Sequence, residues 1–391
     1  MQRSLKNNSI IVGFSSWLFS IFLFSPRFTL FLGEGSGNTR RDDLLAQCID
    51  PFTKNLREPI LAYRIIQPSI AKALGWCGER REILALIGSP GIAYVALILT
   101  LIIIHFSLKK RFNNNLSILA TFALATTQLT QWVNTHWGHP DSLTFLPISL
   151  LMISRQPILI IIATSIGCIN DERIILSLPF ILLWWWPKKE SWQRNLKNLF
   201  PIIFSFIIGI AIAFFIKLSL QQGLIGPGIF EPYEVNTFNG YFRILNPSDW
   251  FGLLVVVFFG FRWLWIIPIS ALIVLLKSKL SIRSFIFIVS SVISILITFA
   301  VSDVSRSCSF FFPMIPVAIE ILKDQSNWPE SKLKFWISLI IGLNVLTPAL
   351  KIYGIPQDWL AISPLEWATP ALPLPFNLWQ WFNSPNGSIT W

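Results

Sequence analysis

The chain has 391 residues, of which 53% are apolar and only 13% charged, with a mean hydropathy of +0.60. That balance excludes a water-soluble globular domain and an unfolded polar chain, and it identifies a polytopic membrane protein. The net charge of +11 does not point to nucleic acid, because the Lys and Arg residues fall largely in short connections between apolar runs, where positive charge marks the cytoplasmic side.

The first apolar run covers roughly residues 9–32 and follows a basic segment with Arg3 and Lys6. It is long and has no small-residue cleavage site behind it, so it reads as a retained anchor rather than a signal peptide. A mixed segment at 33–87 comes next, in which Ile60, Leu61, Ile65, Ile66, Ile70, Ala73 and Leu74 recur at helical spacing. That pattern predicts amphipathic helices on a membrane surface, divided by Pro51, Pro59 and Pro68. Cys48 and Cys77 share the segment, either as a disulfide in an oxidising compartment or as two free thiols.

Further runs long enough to cross a bilayer lie at roughly 88–107, 115–133, 199–219, 250–276, 284–301 and 335–350. Shorter ones at roughly 142–154, 157–169, 174–187 and 308–322 are poor isolated spans that a crowded bundle shelters. Every second connection is basic: Lys109-Lys110-Arg111, Arg155, Lys188-Lys189 with Arg194 and Lys197, Lys277 to Arg283, and Lys323 with Lys332 and Lys334. The expected fold is an all-α polytopic membrane protein of about eleven transmembrane helices, N-terminus cytoplasmic and C-terminus external. A bundle domain over 1–350 includes the first external loop, and 351–391 forms an external segment rich in Trp and Pro. Trp184-Trp185-Trp186 before Pro187-Lys188-Lys189 reads as an interfacial anchor on the cytoplasmic side.

Polar chemistry gathers on the external side. Asp42-Asp43, with Asp50-Pro51-Phe52 behind them, supply carboxylates that can deprotonate a hydroxyl or hold a hard cation. The short connection Thr135-His136-Trp137-Gly138-His139-Pro140-Asp141 carries two of the three histidines of the chain beside a carboxylate, which suits metal binding or proton transfer. Asn170-Asp171-Glu172-Arg173 is bracketed by apolar runs, where charges must pair or face water. Arg243, Arg262 and Arg306 are further cations able to meet an anionic phosphate, Arg262 from the middle of a span and Arg306 from an external turn shared with Asp303.

In order and spacing these residues resemble the GT-C-type polytopic glycosyltransferases. The resemblance rests on Asp42/Asp43, then Asp50-Pro51, then Ala62-Tyr63-Arg64-Ile65-Ile66-Gln67-Pro68, then His139-Pro140-Asp141, then Asp171-Glu172-Arg173 running to Leu178-Pro179, and it covers roughly residues 10–190. The sequence departs from the family's pattern at Leu44-Leu45, where aromatic residues are usual, and at Glu172-Arg173, where the order is reversed. The resemblance implies an inverting transferase using a polyprenyl-phosphate-linked sugar, with Asp42 or Asp43 as base. Asp50, Tyr63, Arg64, His136, His139, Asp141, Asp171, Glu172, Arg173 and Arg243 would be its substrate-binding residues. The implied acceptor is a glycan, lipid or protein; the sequence names no cofactor, and a divalent metal is compatible with the carboxylates. The competing readings are a polytopic transporter or lipid flippase, and a catalytically silent protein of GT-C-like fold.

Overall fold

The computed structural model describes residues 2–24, 39–53, 63–77, 82–135, 138–186, 192–226, 228, 250–278, 281–299, 304–326, 328–347, 349–352 and 368–371. In chain order the helices are α1 (Gln2–Leu23), α2 (Thr39–Ile49), α3 (Ile66–Ala73), α4 (Glu82–Lys109), α5 (Asn114–Ala125), α6 (Gln128–Thr135), α7 (Ser142–Ile153) and α8 (Pro157–Asn170). They continue as α9 (Leu178–Trp185), α10 (Trp192–Gln221), α11 (Trp250–Phe261), α12 (Ile266–Lys277), α13 (Ile282–Thr298), α14 (Val304–Cys308), α15 (Met314–Gln325) and α16 (Glu330–Leu346). Among the described residues the fold departs from an all-α design at one place: β1 (Ala349–Ile352) and β2 (Ala368–Ala371) pair antiparallel, Ala349 opposite Ala371. Pro348 disfavours a helical Thr347, so the chain leaves α16 extended and free to pair. The rest of the Trp-rich C-terminal segment lies outside the described residues.

Among the described residues, three helical stretches are long and apolar enough to cross a membrane: Ile83–Lys109, Lys197–Gln221 and Leu254–Lys277. A fourth exists if Ser305–Phe311 and Met314–Gln325, bent by 58°, count as one span. The other apolar helices are shorter. At 1.5 Å per residue, the 12 residues of α7 reach about 18 Å and the 14 of α8 about 21 Å, against about 30 Å of hydrocarbon. Their outward faces nonetheless suit lipid. Ile158, Ile162, Phe200, Phe204, Ile207, Phe214 and Phe215 are exposed together on α8 and α10.

Two runs expected as single spans are interrupted, the second by a 3-10 turn within one of the three candidate spans. The run at 115–133 stops at Ala125 and restarts at Gln128, where Thr126 and Thr127 turn their hydroxyls onto the carbonyls of Ala123 and Leu124. The run at 250–276 breaks at Arg262, whose φ of 55° is left-handed, into a 3-10 turn over Arg262–Trp265. The breaks meet. Arg262 is buried and donates to the carbonyls of Thr126 (3.2 Å) and Thr347, which end α5 and α16. A guanidinium on two helix C-termini satisfies their orphan carbonyls and complements both dipoles, which is why a lone charge is tolerated there. Asn344 completes the node, accepting from the Trp263 backbone N–H (3.0 Å) and donating to Thr126 Oγ1 (2.7 Å).

Helix ends follow local chemistry elsewhere. Asn113 caps α5 through Leu116 N (2.9 Å), Ser281 caps α13 through Ser284 N (3.1 Å), and Pro157 opens α8 with a preset φ. Phe145, Phe180, Phe261, Phe287, Phe310, Phe311 and Phe312 are fully buried and fill the centre with tilted and edge-on ring pairs. α10 lies close along α8: a Cβ on Gly209 would stand 2.9 Å from the Ile161 carbonyl, and Ser165 donates to the Gly209 carbonyl (3.1 Å).

Among the described residues, the basic Arg111, Arg155, Arg283 and Lys323 gather at one end of the bundle. There Glu320 is buried between Arg111 (2.5 Å) and Arg283, and Arg111 lies 4.0 Å over the Trp184 ring. Trp184 is only 1% exposed and donates to the Met152 carbonyl, so it belongs to the core rather than to an interfacial anchor. Its indole has a carbonyl to bond because α7 ends beside it.

Candidate functional site: a buried cluster of arginines and aspartates

Opposite the basic end, three connections that look far apart in sequence converge. The segment before α3 brings Arg64, the turn before α7 brings His139 and Asp141, and the end of α8 brings Asp171 and Arg173. The turn is shaped by Gly138, whose φ is +70° and where a Cβ would sit 2.4 Å from Pro90 Cα. Gln67 on α3 fastens it to α4, donating to the carbonyls of Ser89 (2.6 Å) and Gly138 (3.2 Å). Asn170 holds the other side, donating to the Pro140 carbonyl and Thr144 Oγ1, both at 2.8 Å.

Each carboxylate is gripped by an arginine of its own. Arg306, at the start of the bent span, donates to Asp141 from Nε (2.6 Å) and Nη2 (2.7 Å). Arg173 donates to Asp171 from Nε (2.8 Å) and Nη2 (2.5 Å), and from Nη1 to Ser307 Oγ (2.9 Å). Arg64 spans the two pairs, with Nη2 at 2.9 Å from Asp171 and Nη1 at 3.3 Å from Asp141. His139 lies beside them, its Nε2 3.5 Å from Arg64 and its Nδ1 3.0 Å from Asp141. Aromatic faces close the cluster: Phe310 under Arg173 at 4.3 Å and Trp132 under Arg306 at 5.0 Å.

The cluster is dry. Arg64, His139, Asp141, Asp171 and Arg306 are all buried, so of the two ways to accommodate charges beside apolar runs these residues take pairing. α7 starts and α8 ends about 20 Å from the basic end, so Asp141 just before α7 and Asp171 just after α8 lie within the bundle. Burial alone would raise the Asp141 carboxyl, but Arg306 and His139 outweigh it and hold it well below the usual carboxylate range. For Asp171 the same contest, won by Arg173 and Arg64, ends at about 2. Burial lowers Arg64, with the Arg306 charge adding to it, and the two carboxylates do not fully compensate; Arg173, clamped on Asp171, is held above its ordinary value.

A small cleft leads to Arg64 between α2, α3 and the start of α4. Leu44, Gln47, Gln67, Pro68, Ser89 and Pro140 line it with Arg64. Asp43 is buried on α2 next to Leu44 and one helical turn before Gln47, hence on the face that carries Gln47. A disulfide between Cys48 and Cys77 (Cα–Cα 5.3 Å) ties α2 to the turn after α3.

Of the residues expected at a site, Arg64, His139, Asp141, Asp171 and Arg173 come together. Glu172 does not: it is exposed and pairs with Lys217 at 2.5 Å, because the 3-10 turn after α8 points it away from Asp171. Asp50 is exposed and accepts from Phe52 N (3.1 Å), the local turn that an Asp-Pro step favours. Tyr63 is half-buried, and Asp42 lies on α2 beside Asp43. His136 and Arg243 lie outside the described residues. Arg306 stood apart in sequence as one more external cation, yet it is central here. Its signal is a charge among small residues, Ser305-Arg306-Ser307, at the entry to an apolar run. Among the described residues no group of three His, Cys, Asp or Glu is arranged to hold a metal ion. Comparison of the chain with protein-family models, with curated proteins and with solved structures finds no match.

Proposed function

We propose that this protein is a membrane glycosyltransferase that moves a sugar from a polyprenyl-phosphate-linked donor to a glycan, lipid or protein acceptor at the face opposite its basic end. The observation that carries the reading is Arg64, a buried guanidinium at the base of a cleft whose two carboxylate partners are each held more closely by another arginine. A guanidinium so placed suits a phosphate oxygen, and its hold strengthens as the phosphate gains charge in leaving, the more so where water is excluded. Asp141 and Asp171 are kept ionised and are therefore weak bases. Asp43, or its neighbour Asp42, would take the acceptor proton as the acceptor oxygen bonds to the anomeric carbon and the bond to the lipid phosphate breaks. A depth of about 20 Å from the basic end, inside the slab, lets an isoprenoid tail stay in lipid while its phosphate meets Arg64.

The reading includes a GT-C-type bundle of about eleven spans, some short and broken, with the N-terminus cytoplasmic and the C-terminus external. The Cys48–Cys77 disulfide supports that sidedness, since such bonds persist in oxidising compartments. A second reading, transport of a lipid or solute, draws on the two broken helices that meet at Arg262, because interrupted spans line many transport sites. The test is reconstitution of the full chain in liposomes with polyprenyl-phosphate sugars and candidate acceptors. Transfer abolished by Asp43→Asn and a raised donor KM in Arg64→Ala support the transferase. Full turnover in the Asp42→Asn/Asp43→Asn protein refutes the base assignment, and flux without transfer establishes the second reading.

A further inference from the structure

We propose that Arg306 is a positioning residue that keeps Arg64 available to an anion by occupying Asp141. This rests on the reading of Arg64 as a phosphate-binding group, and it assigns the charge balance of that site to a residue from the second half of the chain. Asp141 offers two oxygens, and Arg306 takes both, at 2.6 and 2.7 Å. What remains for Arg64 is a longer contact of 3.3 Å. Asp171 is treated alike by Arg173, which holds both of its oxygens and leaves Arg64 a single 2.9 Å bond from Nη2. Two carboxylates are thus shared among three guanidinium groups, and the one least engaged is the one lining the cleft. A buried cation in that position is short of negative charge, and an incoming phosphate supplies it.

Without Arg306 the balance reverses. The freed Asp141 oxygens lie next to Arg64 Nη1, so the carboxylate closes onto Arg64 and competes with the phosphate. Asp141→Asn with Arg306 intact does the opposite and adds a net positive charge. Removing both returns the original difference between cations and carboxylates. Arg306 is anchored for its task from outside the charge cluster by the Trp132 face at 5.0 Å and, through its own carbonyl, by Ser309 Oγ.

The experiment measures binding of farnesyl phosphate and of inorganic phosphate to the full chain in detergent by calorimetry, for wild type and for Arg64→Ala, Arg306→Gln, Asp141→Asn and Asp141→Asn/Arg306→Gln. Size-exclusion and intrinsic fluorescence fix the folded fraction. The expected result is affinity at least 10-fold weaker in Arg306→Gln, stronger in Asp141→Asn, and within about 3-fold of wild type in the double variant. Recovery in the double variant is the readout that a merely structural role would not move. If Arg306→Gln fails to fold, the double variant and Arg306→Lys, which keeps the charge, still decide the matter. Unchanged binding in Arg306→Gln, or a double variant no better than it, overturns the inference while Arg64 dependence leaves the phosphate reading standing. Binding of neither probe to wild type overturns both. Preference for farnesyl phosphate identifies a lipid source for the anion, and equal binding of inorganic phosphate identifies a free one.

Discussion

Replacing Asp171 by Asn strips one carboxylate from beneath two arginines. In the native protein Asp171 accepts from Arg173 Nε and Nη2, from Arg64 Nη2 at 2.9 Å and from the Arg173 backbone N–H at 3.1 Å. The amide keeps the shape and one acceptor but no charge, so Arg173 retains only Ser307 and the Phe310 ring as fixed partners. Breaking a buried ion pair by removing one partner costs about 3–5 kcal/mol, most of it the burial of the charge left behind. At about 2 °C per kcal/mol for a chain of this length, the unfolding midpoint falls by about 6–10 °C. The assay is thermal unfolding in detergent, followed by tryptophan fluorescence, for Asp171→Asn, Arg173→Leu and the double Asp171→Leu/Arg173→Leu. Each single variant should be destabilised by that amount, and the double should recover most of it because no unpaired charge remains at that pair. Single variants within about 1 °C of wild type, or a double variant as weak as the sum of the singles, would refute the account of the cluster as coupled buried pairs.

The pH response follows from the same pairs. Asp171 is depressed from 3.8 to about 2, so its stabilisation is complete above about pH 4 and is lost as pH falls toward 2, a contribution of about 2 kcal/mol. Unfolding midpoints measured from pH 7 to pH 2 should stay flat for this contribution down to about 4 and then drop, and Asp171→Asn should lack that component. Gly138→Ala forces a Cβ into Pro90 at a positive φ, so the turn carrying His139 and Asp141 should shift, with a loss of about 1–3 kcal/mol in the same unfolding assay. Cys48→Ser/Cys77→Ser should lose about 2–4 kcal/mol and loosen α2, seen as faster hydrogen exchange at Leu44–Cys48; unaltered exchange would show that α2 is held by packing alone. Arg262→Leu leaves the carbonyls of Thr126 and Thr347 without their donor, and protease or exchange mapping should show α6 and the end of α16 opening first.

Membrane residence was legible in the sequence because it depends on summed composition: 53% apolar residues in long runs have no other stable solvent. Some local structure follows from neighbouring residues alone, as in Pro157 opening α8, Asn113 capping α5 and the turn at Asp50. The need of charges next to apolar runs for partners was legible as well, and Arg64, His139, Asp141, Asp171 and Arg173 find them in one another. Which partner each one takes is another matter. Arg306 reaches Asp141 across 165 positions, Arg262 reaches Thr126 across 136, and Glu172 turns to Lys217 instead of joining its neighbours. Hydropathy averages over a window and therefore reads through the breaks at Thr126 and Arg262, where the arginine bonds the carbonyls that end α5 and α16. Composition along one dimension assigns the solvent of each segment. The depth at which short helices end, and hence which charges are buried together, is decided by packing between segments distant in the chain.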